Sequence, residues 1–190
     1  RAANGADMSK IHNDLKDLYK ARVDATTGLS WMWMLHATGG VDDSDLLAMG
    51  NQTSDYLLDN HSNLEYTKGW AIRLICEDGD VQDEILKTFA EWAKTGSPYV
   101  RLQIASALQR SPPENRWAIA EELVAREEDN EDHNLPLLIW YGIEPAVAAD
   151  KTKALQLASK CKLSKVWQFI GKRVASAGHC YSTDSGRYNR

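Results

Sequence analysis

Five short apolar segments recur along the chain at intervals of roughly thirty to forty residues. They are Trp31-Met32-Trp33-Met34-Leu35-His36, Trp70-Ala71-Ile72-Arg73-Leu74, the run from Leu102 to Leu108, Leu137-Leu138-Ile139-Trp140-Tyr141 and Val166-Trp167-Gln168-Phe169-Ile170. A polar turn and a second amphipathic helix separate each from the next. Such a period marks stacked helix pairs, in which each unit buries its apolar face only against its neighbours. No stretch alternates as a strand would. The pattern predicts an all-α chain, a short α-solenoid of about five antiparallel helix pairs over residues 9–175. Residues 176–190 form a polar tail with little to bury.

Breakers and caps set the expected boundaries. Ile11, Leu15, Leu18 and Tyr19 share one face at spacings of three and four, predicting a first helix from Ser9 to Arg22. Ala25 to Gly28 should break it, and the Trp31 helix should end at Gly39-Gly40. Asp42 or Asp43 can cap a helix reaching Leu58, before a polar stretch, Asp59 to Asn63, leads into the Trp70 helix. Asp80 should cap the next, whose stripe is Val81, Ile85, Leu86, Phe89 and Trp92. Ser97-Pro98 and Ser111-Pro112-Pro113 read as helix starts, because serine accepts from an orphan amide and proline tolerates the first turn. They predict helices from Pro98 to Gln109 and from Pro113 to Arg126. Asn134 to Ile143 follows, stopped near Glu144-Pro145 because a residue before proline resists the helical region. Asp150 should cap Lys151 to Lys160, and Ser164 the last helix.

Composition narrows the function classes. The chain has 190 residues, 43% hydrophobic and 26% charged, as an ordinary globular protein does. A net charge of -5 supplies no field to draw in a polyanion, and no local basic stripe is present. Nucleic acid is therefore not an expected partner, nor is the chain a helical-repeat DNA glycosylase, which needs a basic groove. Seven Trp against two Phe suggest broad rings packed between helices, some left for a partner. No run approaches the roughly 20 apolar residues that cross a bilayer. The start, Arg1-Ala2-Ala3-Asn4-Gly5, lacks an initiator Met and reads as an excised or processed piece. Cys76, Cys161 and Cys180 form no CxxC pair and are expected as free thiols, the first two as small core residues on helices.

The segment from Ser97 to Arg110 resembles a HEAT repeat, whose second helix typically opens with Val-Arg, here Val100-Arg101. The ordered series also resembles the helical-repeat region of PVC-type haem-binding CxxCH proteins, from about Leu15 to Val174. The matching stretches run from Trp33 to Gly40, from Gly69 to Leu74, along the Val100 helix, and from Asn134 to Glu144. That resemblance implies a larger, exported parent with a propeller dehydrogenase before these repeats and a cytochrome c domain after them. Haem c would sit only on that neighbouring domain, since His179-Cys180 has the wrong order and lacks a second cysteine. No cofactor is expected in this chain. Lys68 stands where the repeat pattern favours Arg.

The candidate interaction residues are His36, Lys68, Arg73, Arg101, Trp140 and Tyr141. His36 with Arg73, and Lys68 with Arg101, occupy equivalent places in successive second helices. Equivalent places line up in a solenoid, so each pair could present cations along one face to an acidic partner. Alternatively they bond inter-helix carbonyls or aspartates and stitch repeats together. The acidic run from Glu127 to His133 reads as a solvated inter-repeat loop, since EF-hand spacing and its glycine are missing. GxSxG, GxGxxG, Walker and HExxH signatures are absent. Cys76 precedes Glu77 and Asp78, a poor setting for a thiolate. The expectation is a non-catalytic spacer or docking scaffold for neighbouring domains. The alternative is a free-standing peptide- or protein-binding protein. Neither terminal unit has an obviously polar outer face, which predicts self-association through the ends.

Overall fold

A computed structural model describes residues 7–21, 25–52, 62–77, 79 and 81–176. Among them lie ten α-helices and two 3-10 turns, and no strand. The fold is all-α. In order the helices are α1 (Ser9–Lys20), α2 (Ala25–Ala37), α3 (Asp43–Gly50), α4 (Ser62–Ile75), α5 (Asp83–Thr95), α6 (Pro98–Leu108), α7 (Trp117–Val124), α8 (Leu135–Ala149), α9 (Lys151–Lys160) and α10 (Ser164–Ser176). The 3-10 turns, Pro113–Asn115 and Glu127–Asp129, flank α7.

The five recurring segments fall on α2, α4, α6, α8 and α10. These five helices pack in succession, each on the next, while α5, α7 and α9 form a second succession. The rows are joined by α5 on α6, α7 on α8 and α9 on α10, and α3 packs on α4. One continuous core fills the space between them. Tyr19, Met32, Leu35, Leu46, Ile72, Phe89, Ile104, Leu123, Ile139, Leu157 and Ile170 are all almost fully buried. Each such side chain contributes roughly 1.5–3 kcal/mol relative to exposure. All five residues of the predicted α5 stripe, Val81 to Trp92, are buried.

Several boundaries follow the capping chemistry read from the sequence. Asp42 accepts from the Asp45 amide at 2.9 Å and closes a reciprocal capping box with the Asp45 carboxylate. Ser97 accepts from the Val100 amide ahead of Pro98, and Asp150 accepts from the Lys153 amide at 3.0 Å. α2 ends on a left-handed Gly39, φ 72°, with the Gly39 amide donating to the His36 carbonyl and the Gly40 amide to the Leu35 carbonyl. That pair of bonds satisfies carbonyls the helix end leaves over.

Other boundaries differ. α2 begins at Ala25 and carries Gly28 inside it, because a single glycine costs only about 1 kcal/mol where Met32 and Leu35 gain burial. α3 stops at Gly50; residues 53–61, including Leu58, lie outside the described residues. Asp80 also lies outside them, and Gln82 holds the N-cap of α5 without a side-chain bond. Ser111 is no cap. The buried Arg116 guanidinium takes the Ser111 carbonyl, and a 3-10 turn precedes α7. Ser164 is the first residue of α10, its amide satisfied by the Asn130 side chain at 2.8 Å.

α8 runs straight through Pro145 to Ala149. Proline removes the amide that would bond the Tyr141 carbonyl, but Pro145 and Tyr141 lie on the exposed side, where water can meet that carbonyl. Burial of Ala146 and Val147 then holds the last turn against the core. Beyond Ser176 the tail lies outside the described residues, as does Cys180. Cys76 is a buried free thiol just past α4, and Cys161 a half-buried one at the end of α9. Among the described residues no helix is long and apolar enough to cross a membrane.

Candidate functional site

The row α2, α4, α6, α8, α10 turns one side of each helix away from the core, and aromatic rings collect there. Trp33 of α2 meets Trp70 of α4 edge-on at 4.7 Å. Tyr66 of α4 meets Tyr99 of α6 at 4.9 Å, also edge-on. Trp140 of α8 lies against Phe169 of α10 at 5.3 Å. Edge-on and offset pairs suit the ring quadrupole and contribute beyond the area they bury. The rings are not sealed: Trp33 is 40%, Tyr66 43% and Tyr141 59% exposed.

Cations border the same side. The Arg73 guanidinium lies over the Trp70 ring, 4.9 Å from its centre. Arg110, just past α6, donates to the Cys76 carbonyl at 3.0 Å. Between the C-terminal parts of α4 and α6, Arg73, Cys76, Gln103, Ser106, Ala107 and Arg110 line a cleft of 180 Å³. His36 Nε2 stands 3.7 Å from Glu77 Oε2, linking the ends of α2 and α4. Arg173 of α10 pairs with Glu144 of α8 at 2.7 Å. Partial burial raises the Tyr99 phenol above its ordinary value; Tyr66 and Glu65 add to this and Arg73 opposes it.

Of the six candidate residues, this face brings together Arg73, Tyr141, the partly buried Trp140 and His36. Lys68 and Arg101 turn inward. The Lys68 ammonium sits 4.8 Å from the centre of the buried Trp92 ring of α5, and desolvation lowers its pKa. Arg101 is buried and holds Asp129, Glu128 and the Gly96 carbonyl. The two expected ladders are thus one contact of His36 with Glu77, one open guanidinium, and two inward cations with unlike partners. The acidic run is likewise not all solvated, because Asp129 is as buried as a core leucine. In the same run the Asp132 carboxylate accepts the Leu135 amide and then the Asn134 amide, which in that order hold its pKa below the usual range.

The sequence reading overlooked Tyr66, Tyr99, Gln103 and Arg110. Their signal was present: Tyr66 to Arg73, and Tyr99 to Ser106, are seven residues apart on the side of each helix opposite the core positions. The Cys76 thiol is pushed up to about 12, chiefly by burial, with Arg110 opposing and Asp43 adding a smaller rise. Burial is thus the main cause, ahead of the acidic neighbours in the chain. No family model, curated protein or solved structure matches this chain, so the likenesses to HEAT repeats and to PVC-type haem-binding proteins rest on the quoted motifs alone.

Proposed function

We propose that the chain is a non-catalytic docking module, a short solenoid of HEAT-like helix pairs that holds another protein segment on the open side of α2, α4, α6, α8 and α10. The observation that carries this reading is the row of half-exposed rings, from Trp33–Trp70 through Tyr66–Tyr99 to Tyr141, bordered by Arg73. Tyr, Trp and Arg are the side chains that most often anchor protein interfaces, being large, rigid and able to bond as well as pack. The succession of α4, α6, α8 and α10 supports the repeat reading, because equivalent positions then form one continuous strip. The order of motifs resembling PVC-type proteins favours a partner on the same polypeptide, with this module as spacer between a propeller and a cytochrome c domain of an exported parent. Haem belongs to that neighbour in this proposal.

A photo-reactive benzoyl-phenylalanine tests the assignment of the face. Placed at Tyr141 in the full chain in its native cells, it should yield discrete protein adducts. Placed at Lys87, which points to solvent from α5, it should yield none. Equal labelling at both positions, or none at either, would overturn the proposal.

A further inference from the structure

The geometry points to a more specific ligand chemistry: the cleft between Arg73 and Arg110 takes the carboxylate side chain of an acidic peptide segment that runs along α4 and α6. This rests on the docking reading above and names the chemistry of its partner.

The described arginines divide by what they hold. Arg101 is closed on Asp129, and Arg116 spends its donors on the Ser111 and Gly142 carbonyls. Arg126 and Arg173 each have a carboxylate within 4.0 Å. Arg73 and Arg110 pair with no carboxylate among the described residues, and Glu77, next to the cleft in sequence, faces His36 instead. The Arg73 guanidinium lies over the Trp70 ring, a cation–π contact that uses none of its N–H groups. Arg110 gives one donor to the Cys76 carbonyl, which positions it, and keeps the rest of its fork. Two guanidinium groups lining one small opening suit the two oxygens of a carboxylate, and charge assistance strengthens each bond.

Size selects among anions. At 180 Å³ the cleft is below the roughly 300 Å³ at which cofactor pockets begin, and it accommodates one side-chain head group. A chain of net charge -5 also offers no wider field for a polyanion. Gln103 and Ser106 line the same wall and can bond a peptide backbone. Seven residues along each helix, about 10 Å at 1.5 Å per residue, lies the Tyr66–Tyr99 pair. A peptide in the polyproline II conformation covers that distance in about three residues and brings residues three apart to the same side. The preferred segment therefore carries an acidic residue with an apolar one three positions away.

The probe is the symmetrical peptide Ac-Leu-Ser-Ala-Glu-Ala-Ser-Leu-amide, which offers that spacing in both directions, against its Gln counterpart. The readout is the arginine Nε–H spectrum of the ¹⁵N-labelled whole chain. The Glu peptide should move the Arg73 and Arg110 signals saturably and leave those of the buried Arg101 and Arg116 in place. The Gln peptide should bind at least about tenfold more weakly, and Arg73→Gln, which removes no hydrogen bond or ion pair seen among the described residues, should weaken the Glu peptide about as much. Equal binding of the two peptides, or no movement of Arg73 and Arg110, would overturn the carboxylate site. Sodium phosphate or sodium succinate matching the Glu peptide in affinity would overturn the peptide in favour of a small free anion. If the spectra stay still while adducts at Tyr141 persist, the docking face stands and only this ligand chemistry fails. If the adducts are missing as well, both fall.

Discussion

Arg101 and Asp129 meet as a closed bidentate pair, Nε on Oδ2 at 2.5 Å and Nη2 on Oδ1 at 2.6 Å, with 4% and 2% of their side chains exposed. The pair ties the first turn of α6 to the 3-10 turn after α7, and Arg101 Nη1 adds a bond to the Gly96 carbonyl at 2.7 Å. Taking both charges out of water costs free energy that their geometry has to return. Removing only one partner leaves a buried charge unmatched, at about 3–5 kcal/mol, whereas removing both together is often close to neutral. Asp129→Ala should therefore lower the urea midpoint far more than the double change of Arg101→Met with Asp129→Leu. A double variant whose loss equals the sum of the two single losses would mean that the pair is not coupled.

A second buried arginine works without any carboxylate. Arg116 donates through Nε and Nη2 to the Ser111 carbonyl, at 2.8 and 2.5 Å, and through Nη1 to the Gly142 carbonyl at 2.6 Å. Gly142 lies in the turn of α8 next to Pro145, so the guanidinium fork fastens that turn to the loop before α7. A lysine at this place carries the charge but not the fork. Arg116→Lys should leave one carbonyl unmet and cost about 1–3 kcal/mol in denaturant titration. Amide exchange should quicken around Ile143 to Ala149 more than in α5. A variant as stable as the parent would show that this fork is dispensable.

The five central helices were legible because their apolar runs are too long and too evenly spaced for anything but successive packing. Ser97-Pro98 and Asp150 were legible because capping is a local contest between one side chain and one amide. Pro145 was misread for the opposite reason. Whether a helix survives a proline depends on which side carries the ring and on what the next turn buries, here Ala146 and Val147. Within the candidate site, Arg73 and Tyr141 could be placed from their distance to the core positions of their own helices. The fates of Lys68 and Arg101 could not. A cation at a given helical place is the same letter whether it ends over an indole or on an aspartate 28 residues away. Asp129 was hidden in turn by the acidic residues around it, which do stay in water.

Two glycines should respond to alanine in opposite directions. A Cβ on Gly142 would stand 2.8 Å from Leu108 Cβ and 3.3 Å from the Ala105 carbonyl oxygen, so α6 and α8 would have to separate. Leu108 is itself almost fully buried and cannot swing aside. Overpacking of this kind costs about 1–3 kcal/mol, so Gly142→Ala should unfold at a clearly lower denaturant concentration. Gly171, inside α10, has nothing within 4 Å of its would-be Cβ. Gly171→Ala should stabilise by about 0.5–1 kcal/mol, because alanine loses less backbone freedom on folding. The same sign for both substitutions would contradict the close approach of α6 to α8.

Burial of Cys76 should be visible in alkali. Its thiol is pushed from an ordinary 9.0 to about 12, mainly because the ionised form would be desolvated between α4 and its neighbours. Below pH 9 the thiol is protonated in both folded and unfolded chains, so it adds no pH dependence. Between pH 9 and 12 the unfolded chain loses the proton while the folded chain keeps it. The unfolded state then binds fewer protons, and stability falls by at most about 1.4 kcal/mol per pH unit from this group. Comparison with Cys76→Ala isolates that slope from other titrations, and the alanine chain should lose stability less steeply above pH 9. At pH 8, iodoacetamide followed by peptide mass analysis should leave Cys76 unmodified in the folded chain and modify it in urea. Rapid alkylation without denaturant would show that solvent reaches the sulfur, and the expected alkaline slope would then vanish with it.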